Sequence, residues 1–529
     1  DVVCGMACSR EIVAEELAKH NTAKDCWLAV DGVVYDVTNF LDAHPGGKTV
    51  LLKEGGKDST KKFKLFHGPD VLRKYGPKLQ VGLLRGAKSA GGGSTAKGPK
   101  GDSKDMYGDL LPYGDPNWYQ GFKSPYYGPS HEDWRARVRA FVEKDIVPYC
   151  SEWDNSSEYA LPRDLYKKFA NAGLLPGVVG APWPEQYAGA GPKGYDAFHE
   201  LILIDELGRC GSGGVLWGLF EGIQIGLPPV LNFGSKFLKD KVVKSCLSGE
   251  KLICLCITEP WAGSDVANLR TTARREGDYY IVNGAKKWIT NGMFSDFFTV
   301  AVRTGGPGMK GLSLLLLEKG MPGLRCRHMK CSGVWPSGTT YITLEDVKVP
   351  VANLIGKEGN GFKMIMSNFN HERWGFVVQA NRLARVCLED AFKHALQRKT
   401  FGKDLVEHQM IRYKLAEMAR QIDATHAWLE QVTYQMVFNK DKAKRDKILA
   451  GPIALLKAHS TKTLEYCARE AAQIFGGAAY TRSGVGERVE RIYREVRAYA
   501  IPGGSEEILI DFAARQAVKK ARKHLKSSL

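Results

Sequence analysis

Two histidines in the N-terminal part of the chain stand beside turn-forming sequence: His44 precedes Pro45-Gly46-Gly47, and His67 precedes Gly68-Pro69. Both are therefore presented from loop ends, and Phe40, Leu41, Leu51, Leu52, Phe63 and Phe66 supply an apolar crevice around them. Two neutral imidazoles on opposite faces of a flat group are what a haem iron in an electron carrier requires. Taken singly, either histidine reads better as an ordinary turn residue.

A different chemistry attaches to Glu372. After Gly361, the residues Ile365, Phe369, Phe376, Ala380 and Leu383 recur at helical spacing, and Glu372 falls on the same apolar stripe. A carboxylate held away from water has a raised pKa and can take a proton from a weakly acidic C–H. The adjacent Arg373 leaves a second reading open, that of a buried ion pair.

Four further segments could cradle a ligand. Thr258-Glu259-Pro260-Trp261-Ala262-Gly263-Ser264-Asp265 is a loop rich in small and hydroxyl residues. Lys287-Trp288-Ile289-Thr290-Asn291-Gly292 offers an aromatic and a hydroxyl to flank a flat heterocycle. Arg398-Lys399-Thr400-Phe401-Gly402, with His408-Gln409, puts a cation where it could grip a pyrophosphate. Gln473-Ile474-Phe475-Gly476-Gly477 lets a backbone approach a ligand closely, and it also reads as a helix end.

The elements that must position these residues fall into blocks. Short strands at Trp27–Val30 and Val33–Val37 flank the turn pair Asp31-Gly32. The segment from Gly86 to Lys104 is rich in Gly, Ser and Lys and cannot bury a core, so it is expected to be a flexible linker. Helical patterns cover Trp134–Val147 and Asp196–Leu207, and the apolar run Val215–Leu231 reads as a buried helix. Strand patterns fill Leu252–Leu344, and helical ones return from Gly361 to Gln397, from His408 to Phe438 and from Pro452 to Phe475.

At 529 residues the chain has room for three or four units, and 44% hydrophobic with 25% charged residues is the composition of globular protein. No apolar run is read as reaching transmembrane length. The net charge of +17 is spread along the chain and concentrates only from Arg515 to Lys526, which reads as a solvated tail rather than a nucleic-acid surface. Twelve cysteines without a CxxC pair point to free thiols in a reducing compartment.

His44-Pro45-Gly46-Gly47, Trp27, Tyr35-Asp36-Val37-Thr38-Asn39-Phe40 and Tyr75-Gly76-Pro77-Lys78-Leu79-Gln80-Val81-Gly82 together resemble the cytochrome b5 family. The resemblance implies an α+β domain over residues 7–84 that binds haem b, with His44 and His67 as the axial iron ligands. It also implies that residues 85–114 join this domain to a second, larger body.

The four cradle segments, in their order and spacing, resemble the acyl-CoA dehydrogenase family from Asp115 onward. That resemblance implies a multidomain arrangement: an N-terminal helical domain (115–250), a middle β domain (251–355) and a C-terminal four-helix bundle (356–529). It implies a homotetramer or homodimer sharing FAD across subunits. Thr258, Ser264, Trp288, Ile289 and Thr290 map to the flavin of their own subunit, and Gly476, Ser505 and Glu507 are further flavin contacts. Arg398, Phe401, Gln409, Gln473 and Gly477 map to flavin bound by a neighbour. Ser264, Asn370 and Arg373 map to the acyl-CoA substrate.

Many members carry the base before a Gly-Thr pair near the C-terminus, where this chain has Ile501-Pro502-Gly503-Gly504-Ser505. Branches with glycine or alanine there, the isovaleryl and long-chain types, resemble Asn370-His371-Glu372-Arg373 in placing Glu on the earlier helix. The resemblance thus assigns the base to Glu372, with Glu506 and Glu507 in reserve.

The expected reaction is α,β-dehydrogenation of an acyl-CoA, with electrons passing to the fused haem, an electron-transfer flavoprotein or another redox protein. An acyl-CoA oxidase that uses oxygen and a haem electron carrier with a non-catalytic acyl-CoA-binding part are the rivals. No nucleic-acid partner and no transmembrane segment are expected. Ser527-Ser528-Leu529 loosely resembles the peroxisomal Ser-Lys-Leu address, and the mitochondrial matrix or peroxisome is the expected location.

Overall fold

A computed structural model describes residues 10–67, 69–85 and 106–528. Asp31 and Gly32 both take positive φ (51° and 77°), the geometry of a two-residue hairpin turn, and align Asp25–Val30 with Val33–Asp36 so that Trp27 faces Asp36. Around this hairpin the sheet runs Glu11–Ile12, Gln80–Leu84, Val33–Asp36, Asp25–Val30, Asn21–Thr22, with the first pair parallel. The helices Lys48–Glu54 and Thr60–Phe66 lie beyond it, and their side chains Leu51, Leu52 and Phe63 join Phe40 and Leu72 against Leu28, Tyr35 and Leu41.

The expected linker at residues 86–104 lies outside the described residues. Residues 106–114, expected from the sequence to belong to the linker, are instead bound to the helical body. The Tyr107 N–H bonds the Tyr119 carbonyl at 2.7 Å, and the Tyr113 carbonyl accepts from Arg385 at 2.9 Å. Buried Asp115 explains the capture: it meets Arg139, Arg209 and Arg382 at 3.1–3.2 Å. These three guanidinium groups hold its carboxyl well below the usual carboxylate range despite burial.

The next unit is helical. Asp196 caps Ala197–Gly208, its side chain accepting from the Phe198 and His199 N–H groups, and Pro129–Phe141 packs across it. The run from Gly213 to Phe233 is long and apolar enough to cross a membrane, contrary to the expectation from sequence, yet 89% of its most apolar window is buried. It is the central helix of this unit.

The β unit is an eight-stranded sheet ordered Leu324–His328, Thr340–Pro350, Tyr279–Ile289, Thr272–Glu276, Phe297–Arg303, Leu312–Glu318, Leu354–Ile355, with Ile253–Cys256 parallel to Phe297–Arg303. Cys254 and Cys256 point to one face with their sulfurs 3.7 Å apart, both as free thiols. Four long helices come next, Gly361–Gln397, Gln409–Phe438, Lys442–Phe475 and Glu487–Ala500, before Glu506–Ser528. The basic stretch after Arg515 is therefore helical and, through Leu525, solvent-exposed.

Candidate functional site

Glu372 lies in the Gly361 helix with 9% of its surface exposed. Burial pushes its carboxyl up to about 7, although Arg373, Lys457 and His371 pull the other way. The alternative role as an ion-pair partner of Arg373 does not occur: Arg373 Nε donates to the Gly503 carbonyl at 2.7 Å and its guanidinium lies over the Phe369 ring. Among the described residues the Glu372 side chain makes no hydrogen bond. It is a desolvated carboxylate with its oxygens uncommitted.

The turn at Gly503 faces it. Gly503 has φ +68°, and a Cβ there would come within 3.3 Å of the Phe376 ring. A side chain at Gly503 would press on the Phe376 ring and adopt a strained backbone. Lys457, wholly buried, donates to the carbonyls of Ala500 and Gly504 at 3.0 Å each and spans this turn. Burial presses its ammonium down to about 7. Sequence reasoning missed Lys457; a lysine among the apolar positions of the Lys442 helix was the available signal.

On the other side of Glu372, His371 Nε2 lies 2.6 Å from Glu200. Burial alone would lower the imidazole, but Glu200 overrides it and holds the ring protonated more strongly than usual. Asn370 donates to the Asp446 carbonyl at 2.8 Å and fastens the helix to its neighbour. Of the reserve residues, Glu506 accepts from Thr461 and is half-buried within electrostatic reach of Lys457, and Glu507 is exposed.

The loop after Ile253–Cys256 is held by one carboxylate. Glu259 accepts from the N–H of Thr271 at 2.9 Å, from the indole of Trp261 at 2.6 Å and from Lys286 at 2.9 Å, the last pair with no exposed surface on either side chain. This leaves Thr258 half-buried and Ser264 exposed at the rim. Lys286 is an inward-facing lysine in a strand, again a signal legible in the sequence.

Trp288 sits at φ +65° with 54% of its surface exposed, and Thr290 beside it is half-buried. Ile289 turns its side chain into the sheet core, so only its backbone faces the rim. Buried Asn291 bridges the two units: its amide donates to the Gly218 carbonyl and its oxygen accepts from the Gly222 N–H, each at 3.0 Å.

Arg398 and Phe401 lie at the small hairpin of Lys399–Thr400 and Lys403–Asp404, and Phe401 is 96% exposed. Gln409, Gln473, Gly476 and Gly477 are also exposed, while Ser505 is half-buried. A Cβ added at Gly263, Gly476 or Gly477 would meet nothing within 4 Å. These separate positions offer bare backbone, an exposed indole and hydroxyls, a donor set that fits a flavin dinucleotide.

In the N-terminal domain the rings of His44 and His67 face each other with centroids 5.9 Å apart. Nδ1 of His44 lies 3.2 Å from the Gly47 carbonyl, and Nδ1 of His67 lies 3.2 Å from the Phe63 carbonyl. A carbonyl only accepts, so the proton sits on Nδ1 of each ring, the tautomer in which Nε2 is the metal-ligating nitrogen. Gly46 permits the His44 pose, since a Cβ there would lie 2.8 Å from the imidazole. Phe40 and Phe63 flank the two rings. The pair fits axial ligation of a haem.

Comparison with known proteins assigns each part of the chain to a family. Residues 13–85 match the cytochrome b5-like heme/steroid binding domain, and 128–250, 254–347 and 359–518 match the N-terminal, middle and C-terminal domains of acyl-CoA dehydrogenase. The acyl-CoA dehydrogenase apdG of Emericella nidulans is 42% identical over 421 residues, 77% of this chain and 95% of the relative. The short-chain specific mitochondrial acyl-CoA dehydrogenase of Rattus norvegicus is 32% identical over 393 residues, 74% and 90% of the two chains. A crystal structure of a probable acyl-CoA dehydrogenase from Mycobacterium abscessus has a TM-score of 0.68 at 38% identity, covering 74% of this chain and 100% of that one. An acyl-CoA dehydrogenase complexed with FAD from Bacillus anthracis has a TM-score of 0.68 at 26% identity, covering 76% and 70%.

Proposed function

We propose, on the premise that this chain belongs to the acyl-CoA dehydrogenase family and carries a cytochrome b5-like domain ahead of it, that Glu372 is the base that removes the α-proton of an acyl-CoA. The chain is an oxidoreductase of acyl-CoA thioesters whose cofactors are FAD and haem. Thr258, Ser264, Trp288 and Thr290 would hold the flavin, and His44 with His67 the haem iron. The flavin, when bound, supplies the two-electron acceptor for the hydride that leaves the β-carbon.

The chain's own residues do the rest. Glu372 takes the α-proton onto its carboxylate as the C–C double bond forms, giving a trans-2-enoyl-CoA. Arg373 and Lys457 fix the Gly503 turn opposite, and the apolar wall of Phe369 and Phe376 excludes water. The observation that carries this reading is a buried carboxylate with no ion pair among the described residues, whose pKa is raised to about 7.

Electrons then leave through the fused haem domain or to a separate electron-transfer flavoprotein. The working unit is a homotetramer or homodimer in which Arg398 and Phe401 reach a neighbour's flavin; the near-complete exposure of Phe401 supports this.

Anaerobic mixing of the holoenzyme with acyl-CoA tests the proposal. Flavin bleaching should slow about 10²–10⁴-fold in Glu372→Gln while a substrate analogue still binds. Full turnover in that variant would overturn the assignment. Haem reduction within the turnover time supports the internal electron route, and a haem that stays ferric refutes it.

A further inference from the structure

The central apolar helix carries one carboxyl that the proposed chemistry does not use. Glu221 is 2% exposed and closes a π-helical turn, Trp217–Glu221. Such turns place a residue out of α-helical register and recur at functional sites.

Its surroundings are fixed. Gln379 Oε1 accepts from Trp217 Nε1 at 3.1 Å and from the Tyr499 hydroxyl at 3.0 Å, so its NH₂ must point away from both. That amide donates to Glu221 Oε2 at 3.2 Å. The other oxygen, Oε1, has no partner among the described residues. Glu372 and Gln379 lie seven positions apart, two turns along one face of the Gly361 helix, with Phe376 between them. The rings of Trp217, Phe376 and Tyr499 enclose the cluster, with centroids 5.4–6.0 Å apart. Glu221 thus packs against the helix that carries the base, near enough that the two carboxyls feel each other electrostatically.

We propose that Glu221 is a specificity-determining residue, donating a hydrogen bond to an oxygen, as ketone or hydroxyl, carried on the acyl chain beyond the reacting carbons. Burial first and the Glu372 charge second push its carboxyl up to about 8. It is therefore a neutral acid at physiological pH, with an O–H that needs an acceptor. A buried donor without one is unfavourable, and a plain hydrocarbon chain supplies none. The inference rests on the dehydrogenase reading and adds the substrate class.

The test compares octanoyl-CoA with oxo-octanoyl-CoA isomers bearing the ketone at each carbon beyond the β position, by kcat/KM for flavin bleaching in the holoenzyme. The wild type should favour at least one oxo isomer by about tenfold. Glu221→Leu should bring the ratio near one by improving octanoyl-CoA, and Glu221→Gln, which keeps an N–H donor in the same shape, should retain part of the preference. Equal rates for all thioesters in the wild type, or a ratio unchanged in Glu221→Leu, would overturn the inference and leave the dehydrogenase intact. No bleaching by any thioester would overturn both.

Discussion

The rate of flavin reduction should follow the ionisation of Glu372. An ordinary glutamate titrates near 4.5, and burial moves this one to about 7, a shift worth roughly 3 kcal/mol. Only the ionised form can accept the α-proton, so activity is lost on the acid side. At pH 6 roughly a tenth of the enzyme would be competent, at pH 7 about half and at pH 8 about nine-tenths. Stopped-flow bleaching at subsaturating acyl-CoA should therefore rise about fivefold from pH 6 to 7 and less than about twofold from 7 to 8. Anaerobic conditions remove reoxidation from the signal. A profile flat from pH 5.5 upward would mean that the base is a solvated carboxylate, and the desolvation argument would fail.

Removing one member of the buried Glu259–Lys286 pair, as in Lys286→Met, should destabilise the β unit by about 3–5 kcal/mol and release flavin; thermal melts and flavin absorbance on gel filtration check both, and an unchanged melt refutes the role. His44→Ala and His67→Ala should each abolish the haem Soret band of the reconstituted protein while leaving flavin bleaching by acyl-CoA intact. Phe401→Asp should shift the assembly to smaller species in sedimentation and lower flavin occupancy, and an unaltered oligomer would show that the exposed ring faces solvent.

Much of the site could be read along the chain because its signals are local. The Asp31-Gly32 turn, the Asp196 cap and the strands at Tyr279 and Leu312 arise from the conformational preferences of a few neighbouring residues. The anomaly of Glu372 needed only helical periodicity to be noticed. Other buried charged groups are anomalies of the same kind, but their partners lie far off along the chain. Glu221 hides within an apolar run, Lys457 within a long helix, and Glu259 lies far from its partner Lys286 in sequence.

The order of helix, strand and helix, the two histidine loops and the misplaced carboxylate were thus determined by sequence alone, since backbone preference and burial pattern act over a turn or two. Whether Arg373 would neutralise Glu372 or clamp Gly503, and whether residues 106–114 would swing free or bind the body, was decided only by tertiary structure. Those outcomes depend on which charges meet after packing excludes water, and a low-dielectric interior makes each such meeting worth several times what the same groups would gain in solvent.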